Sequence, residues 1–232
     1  MPMADQNRGR NAHESDSDLE QHLGTHDALH TLWAPHGRPI AVSLDDSSII
    51  TASPDTRARL IQVHSVIHAV LRSEHGVAMR CLADMSSLMT VFTALRSLTL
   101  ASELLWSISI SRWQEVLGNA RTELPAMTAG LTSKEAVEVL RGADVIYEVI
   151  WRNLTGETHE RVLDCVAGTA RALPWQARIG LGGFGATVYV AALQETSDHG
   201  LDDLAEEHAA LLTAMARGQA VTHRDGRLRI DE

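Results

Sequence analysis

The side chains best placed to do chemistry are histidines. His64, His68 and His75 follow one another at steps of four and seven. They run along the flank of a segment whose apolar residues, Leu60, Val63, Ile67, Val70 and Leu71, repeat at helical spacing. Neutral imidazoles one turn apart on a rigid helix can chelate zinc or a similar divalent ion, with a further ligand from elsewhere. The same spacing also suits histidines that are simply hydrogen-bonded at a packing boundary. A second group is Glu157, Glu160 and Asp164, an acidic stripe with His159 beside it and Arg152 just before it. Carboxylates three and four apart share a helix face and can hold Mg²⁺ or Mn²⁺. They also fall in the first turns of a helix, where its dipole favours acids. Trp106 and Trp113, with Met85 and Met89, offer a third set: two indoles and two thioethers able to wall an apolar ligand or simply to fill a core. The fourth is basic. Arg224, Arg227 and Arg229 cluster near the C-terminus, where guanidinium groups suit phosphate contacts.

The elements that position these groups are mostly helices. Ser53 followed by Pro54 is a helix start, with a capping hydroxyl and proline at the first turn. This helix is expected to run to about Glu74 and to end before Gly76. The stretch Ala78–Leu117 holds no Gly or Pro and is largely apolar at steps of three and four. It reads as two consecutive core helices around which the rest packs. Trp106, Ile110, Trp113 and Leu117 form the stripe of the second. Thr132 to Glu135 has the form of a capping box and opens a helix to about Leu154. Gly156 stops it, and a further helix runs to about Ala172, before Pro174, so these two form an antiparallel hairpin.

Glycines change the character of residues 177–193. Gly180, Gly182 and Gly185 satisfy G-x-G-x-x-G, but no long helix with further strands follows, as a dinucleotide-binding unit requires. The segment reads as two strands joined by a glycine turn. A last helix, Leu201–Arg217, is stopped by Gly218, and Asp225-Gly226 joins two short strands. Residues 38–52 read as one more hairpin, with an Asp-rich turn.

The fold class expected is therefore α+β and predominantly α-helical. About six helices surround a central apolar helix pair, with a small antiparallel β-sheet built from the three hairpins. Residues 1–24 read as a disordered acidic arm, and 25–232 as a single globular domain. Within it lie a helical core, 54–173, and a β-β-α-β-β part, 177–232.

The net charge of −10 disfavours a general binder of nucleic acid or membrane surface. Cys81 and Cys165 sit among apolar neighbours and read as reduced core thiols of a cytoplasmic protein. No signal peptide or membrane span is visible. Lys134 is the one lysine, which confines any lysine chemistry to that position.

Arg152 followed by His159 resembles the Arg-x(4–6)-His pattern of the helical HEPN ribonucleases, which implies RNA cleavage by that pair. The same spacing occurs at Arg59/His64, Arg57/His64 and Arg8/His13. Ser133–Leu140 with Gly142–Ile150 resembles the all-α nucleotide pyrophosphohydrolases, although Glu138 and Asp144 point to different faces of one helix. The helix, glycine and hairpin that end the chain resemble the close of a winged-helix domain, which implies DNA contacts by Arg224, Arg227 and Arg229.

No catalytic set converges. The leading expectation is a non-enzymatic, homodimeric helical protein that binds a partner or a small ligand and acts as a sensor or regulator. Alternatives are a metal-dependent or HEPN-like hydrolase at residues 152–164, and a DNA-binding regulator. No cofactor is required by the leading reading; a divalent metal belongs to the alternative.

Overall fold

The computed structural model describes residues 54–105, 110–153, 159–219, 221–224 and 226–230. In chain order the helices are α1 (Pro54–Leu71), α2 (His75–Asp84), α3 (Ser87–Leu104), α4 (Ile110–Thr122), α5 (Leu124–Thr128), α6 (Ser133–Asn153), α7 (His159–Ala170), α8 (Trp175–Glu195) and α9 (Leu201–Arg217). Two strands close the order, β1 (Val221–Arg224) and β2 (Arg227–Ile230). They pair antiparallel, with Val221 opposite Ile230 and Arg224 opposite Arg227.

Helix predominates, as the sequence predicts, but the expected sheet of three hairpins does not form. Residues 38–52 lie outside the described residues. Residues 177–193, expected as two strands and a glycine turn, are the middle of α8, and this helix is the centre of the molecule. Every side chain from Ala177 to Leu193 is buried. A helix buried all round shows no amphipathic period, so the usual sequence signal is missing.

The glycines explain how α8 can be surrounded. A Cβ on Gly180 would lie 2.0 Å from the carbonyl oxygen of Val139, and one on Gly142 1.8 Å from that of Ala177. Helices α6 and α8 therefore cross backbone to backbone. On another face, a Cβ on Gly185 would come within 2.9 Å of the Ala94 Cα on α3. At Gly183 the added atom would meet Met127 Cε at 2.8 Å and Met79 Sδ at 2.9 Å. Glycine costs about 1 kcal/mol in a helix relative to alanine. Here that cost is offset by close packing of α8 against α3 and α6, its two most extensive contacts.

The expected central pair is also rearranged. The helix predicted from Ala78 onward breaks at Met85-Ser86, because the Ser86 hydroxyl accepts the Met89 N–H at 3.2 Å and caps α3. Helix α3 is nonetheless deeply buried, from Thr90 to Leu98 without interruption. Arg178, 7% exposed, ties three elements together. Its Nε donates to the Ala170 carbonyl at 3.2 Å and its Nη2 to that of Arg171 at 3.1 Å, while Nη1 donates to the Ser87 hydroxyl. The loose carbonyls at the end of α7 are thereby satisfied. The thiols differ from expectation: Cys81 is half-buried and Cys165 exposed, and both are free.

Other local signals hold. Glu135 Oε2 accepts the Thr132 N–H at 2.9 Å and the Thr132 hydroxyl at 2.6 Å, as a capping box requires. Gly218, at φ +79°, closes α9. Helix α1 ends before Gly76, but by a turn at Ser73, φ +56°. There Ser73 N–H donates to Val70 and Glu74 N–H to Ala69, both at 2.8 Å, the paired bonds of a Schellman motif.

The crossing makes a direct prediction. Gly142→Ala and Gly180→Ala force backbones apart and should each destabilise the protein by about 1–3 kcal/mol or more. Gly168→Ala, on the exposed side of α7 with nothing within 4 Å of the new atom, should stabilise it by about 0.5–1 kcal/mol. Urea unfolding midpoints of the three variants give the test. Equal shifts would mean that α6 and α8 do not cross at their glycines.

Candidate functional site

The predicted histidine trio divides between two places. His64 and His68, on α1, face α9. There His64 Nδ1 lies 3.1 Å from His208 Nε2, a buried hydrogen bond in which one ring donates and the other accepts. The His68 ring stacks on His208, with centroids 6.3 Å apart and planes 9° from parallel. His208 was legible only as a lone histidine on the apolar stripe of α9; nothing in the sequence links positions 144 residues apart. Among the described residues no group of three or more His, Cys, Asp or Glu side chains stands where it could hold a metal ion.

Burial pushes His208 down to about 4; the neighbouring His68 adds to this, and a hydrogen bond with His64 opposes it. Burial disfavours a charged His208 ring, because an imidazolium ion pays a larger desolvation penalty than a neutral imidazole.

His75 starts α2 on the other side of α1. Its side chain is 6% exposed, and Nε2 lies 2.9 Å from Glu123 Oε2 at the junction of α4 and α5. The other nitrogen, Nδ1, is buried and has no hydrogen-bond partner among the described residues. This His–Glu pair lies in the wall of a cavity of about 370 Å³. Thr187, Val190, Ala191 and Gln194 of α8 supply the facing wall, and Ser73 and Asn119 join the rim. Arg112 pairs with Glu195 at its edge. Ser73 holds its left-handed backbone at this rim at a cost of about 1–2 kcal/mol.

A second cavity, of about 250 Å³, lies where the hairpin meets α8 and α9. It is lined by Tyr189, Leu193, Leu204, His208, Arg227 and Arg229, among others. The hairpin is held there through its turn. Gly226 N–H donates to Glu103 Oε2 at 3.1 Å, and the Tyr189 hydroxyl donates to the Gly226 carbonyl at 3.0 Å. Burial pushes the Tyr189 hydroxyl well up, so it stays a donor. Arg96, 3% exposed, is lowered by the same burial and held charged by Glu103. Arg227 Nη2 donates to the Thr196 carbonyl at 3.0 Å. The hairpin expected at Asp225-Gly226 is therefore present, but its turn is packed on α3 and α8. A winged-helix reading needs a tip free to reach DNA.

The remaining candidates are dispersed. Trp113, Met85 and Met89 are half-buried and pack against the core, and neither cavity wall includes them. The side chains of Arg152, His159, Glu160, Asp164 and Arg224, and the whole of Trp106 and Glu157, lie outside the described residues. Glu123 and Tyr189 were missed altogether, because each gains its partner only through tertiary packing. No helix among the described residues is long and apolar enough to cross a membrane. Comparison with protein-family models, with curated proteins and with solved structures gave no match.

The histidine seam sets a pH dependence. A folded-state value near 4, against 6.5 in the unfolded chain, means that the unfolded chain binds the extra proton first. Stability should be full above about pH 6.5 and fall by about 3 kcal/mol as the pH drops towards 4. Urea unfolding at both ends of that window should show His208→Gln losing less than the wild type; identical losses would clear His208 of the effect.

Proposed function

We propose that the protein is a non-enzymatic, small-ligand-binding protein of the sensor or regulatory kind, with its ligand in the cavity between α1, α4 and α8. The observation that carries this reading is the His75–Glu123 pair in the cavity wall, with His75 almost wholly buried. Pockets that bind small molecules are concave and largely apolar with a few placed polar groups. This cavity is more polar than that: Val190 and Ala191 give it an apolar patch, and Thr187, Asn119 and Gln194 supply polar groups. At about 370 Å³ the cavity suits a metabolite-sized molecule.

Homodimerisation belongs to the same reading. Val137 and Trp151 on α6 are 63% and 45% exposed, and an isologous contact between two copies would cover them.

Native mass spectrometry of the untagged, freshly purified protein tests both parts. The expected result is a dimer carrying a small-molecule adduct, and loss of that adduct in Gln194→Trp, which fills the cavity from an exposed rim position. If the wild type carries no adduct, and a metabolite library shifts its melting temperature no more than that of Gln194→Trp, the cavity is not a binding site. A monomer at micromolar concentration would remove the dimer.

A further inference from the structure

The second cavity has a different character, and it stands independently of the first. In a chain of net charge −10, two arginines, Arg227 and Arg229, line one small enclosure. Its described lining holds a single carboxylate, Glu207, and that group is engaged by His199 Nδ1 at 3.0 Å. Arg227 donates to a neutral carbonyl, that of Thr196. Neither arginine has a carboxylate partner among the described residues. By contrast, Arg72, Arg112 and Arg141 each pair with an acid. Leu193 of α8 and Leu204 and Leu211 of α9 also border it, each nearly wholly buried. His208 completes it, 8% exposed.

The enclosure is also rigidly built. The strand carrying both arginines is fixed by the Gly226 amide on Glu103 and the Gly226 carbonyl on Tyr189. Gly226, at φ +72°, lies so close to α3 that a Cβ would fall 2.6 Å from the Leu100 carbonyl oxygen. The strand that carries both arginines is therefore anchored at its turn, and Arg227 is also held by the Thr196 carbonyl.

We propose that this cavity binds a small organic monocarboxylate, with the acid group on Arg227 and Arg229 and the aliphatic body against Leu193, Leu204 and Leu211. Guanidinium groups match a carboxylate in geometry and charge. A cavity of about 250 Å³ limits the body to a short chain or a single ring.

Isothermal titration of the full chain with acetate, hexanoate, hexanol and inorganic phosphate, at constant ionic strength, tests the assignment. Hexanoate is expected to bind most tightly, gaining up to roughly fourfold per added methylene over acetate. Hexanol, which lacks the charge, and phosphate, which lacks the chain, should both bind at least about tenfold more weakly. Arg229→Gln, on an exposed position of β2, should weaken hexanoate by at least about tenfold, and Arg229→Lys should restore part of the loss. Arg227→Gln should weaken it too, with some loss of stability from the broken Thr196 bond. Gln194→Trp, which fills the other cavity, should bind hexanoate as the wild type does. No saturable binding, equal affinity for hexanol or phosphate, an unchanged Arg229→Gln, or loss of binding in Gln194→Trp would each overturn the proposal. None of these outcomes bears on the first cavity unless Gln194→Trp is the variant that fails.

Discussion

The fold depends on one contact, the crossing of α6 and α8 through Gly142 and Gly180. Each glycine faces the backbone of the other helix, at Ala177 and Val139. Two helices with ordinary side chains pack 8–10 Å apart. A reciprocal glycine crossing brings them closer and leaves no room for water. Once α8 is held on that side, Gly182 and Gly185 let α3 close on another face. A helix so enclosed satisfies its own backbone polar groups internally, and only its side chains need partners. That explains why the most buried element of the molecule is also its richest in glycine, against helix propensity.

How much of this was legible follows from how local each cause is. Pro54, the Thr132–Glu135 box, Gly218 and Asp225-Gly226 act within a few residues of themselves, and each marked its element correctly. The glycine segment did not. Gly180 to Gly185, flanked by Ile179 and by Val188-Tyr189-Val190, carries turn residues between β-formers. Local preference there points to strand and turn, while tertiary packing selects helix. The information that decides lies at Val139, Gly142 and Ala94, distant in sequence. The break at Met85-Ser86 was missed for the reverse reason: one serine cap outweighs an apolar run that looks continuous.

The candidate sites were half legible for a related reason. A helix face shows which residues travel together but not what they meet. His64 and His68 were recognised as a pair on one face. His75 belongs to a different helix and pairs with Glu123, because the Schellman turn at Ser73 redirects the chain between them. His208 completes the first pair from α9, and no spacing rule could supply it. The arginines of the hairpin suit phosphate contacts by type alone; their sequence does not show that the turn is bound at Gly226 or that Arg227 and Arg229 border a cavity.

Both cavities border the same half of α8, and the glycines account for that. From Gly180 to Gly185 the neighbouring helices approach the α8 backbone directly. From Thr187 onward the side chains are larger, and they hold the neighbours away. Thr187, Val190, Ala191 and Gln194 recur at helical spacing towards one cavity, while Tyr189 and Leu193, one turn apart, border the other. Close packing at one end of the helix and side-chain spacing at the other leave room for these two cavities where the glycines stop. Some of the polar groups of the interior border that region: His75, paired with Glu123, on one side, Tyr189 and His208 on the other. A core assembled for stability alone would fill such spaces with aliphatic side chains, since unpaired buried polar groups cost more than they return. Placing histidine, tyrosine and arginine at the edges of open volume, next to a scaffold that cannot shift, is the arrangement expected of binding sites formed in advance of their ligands.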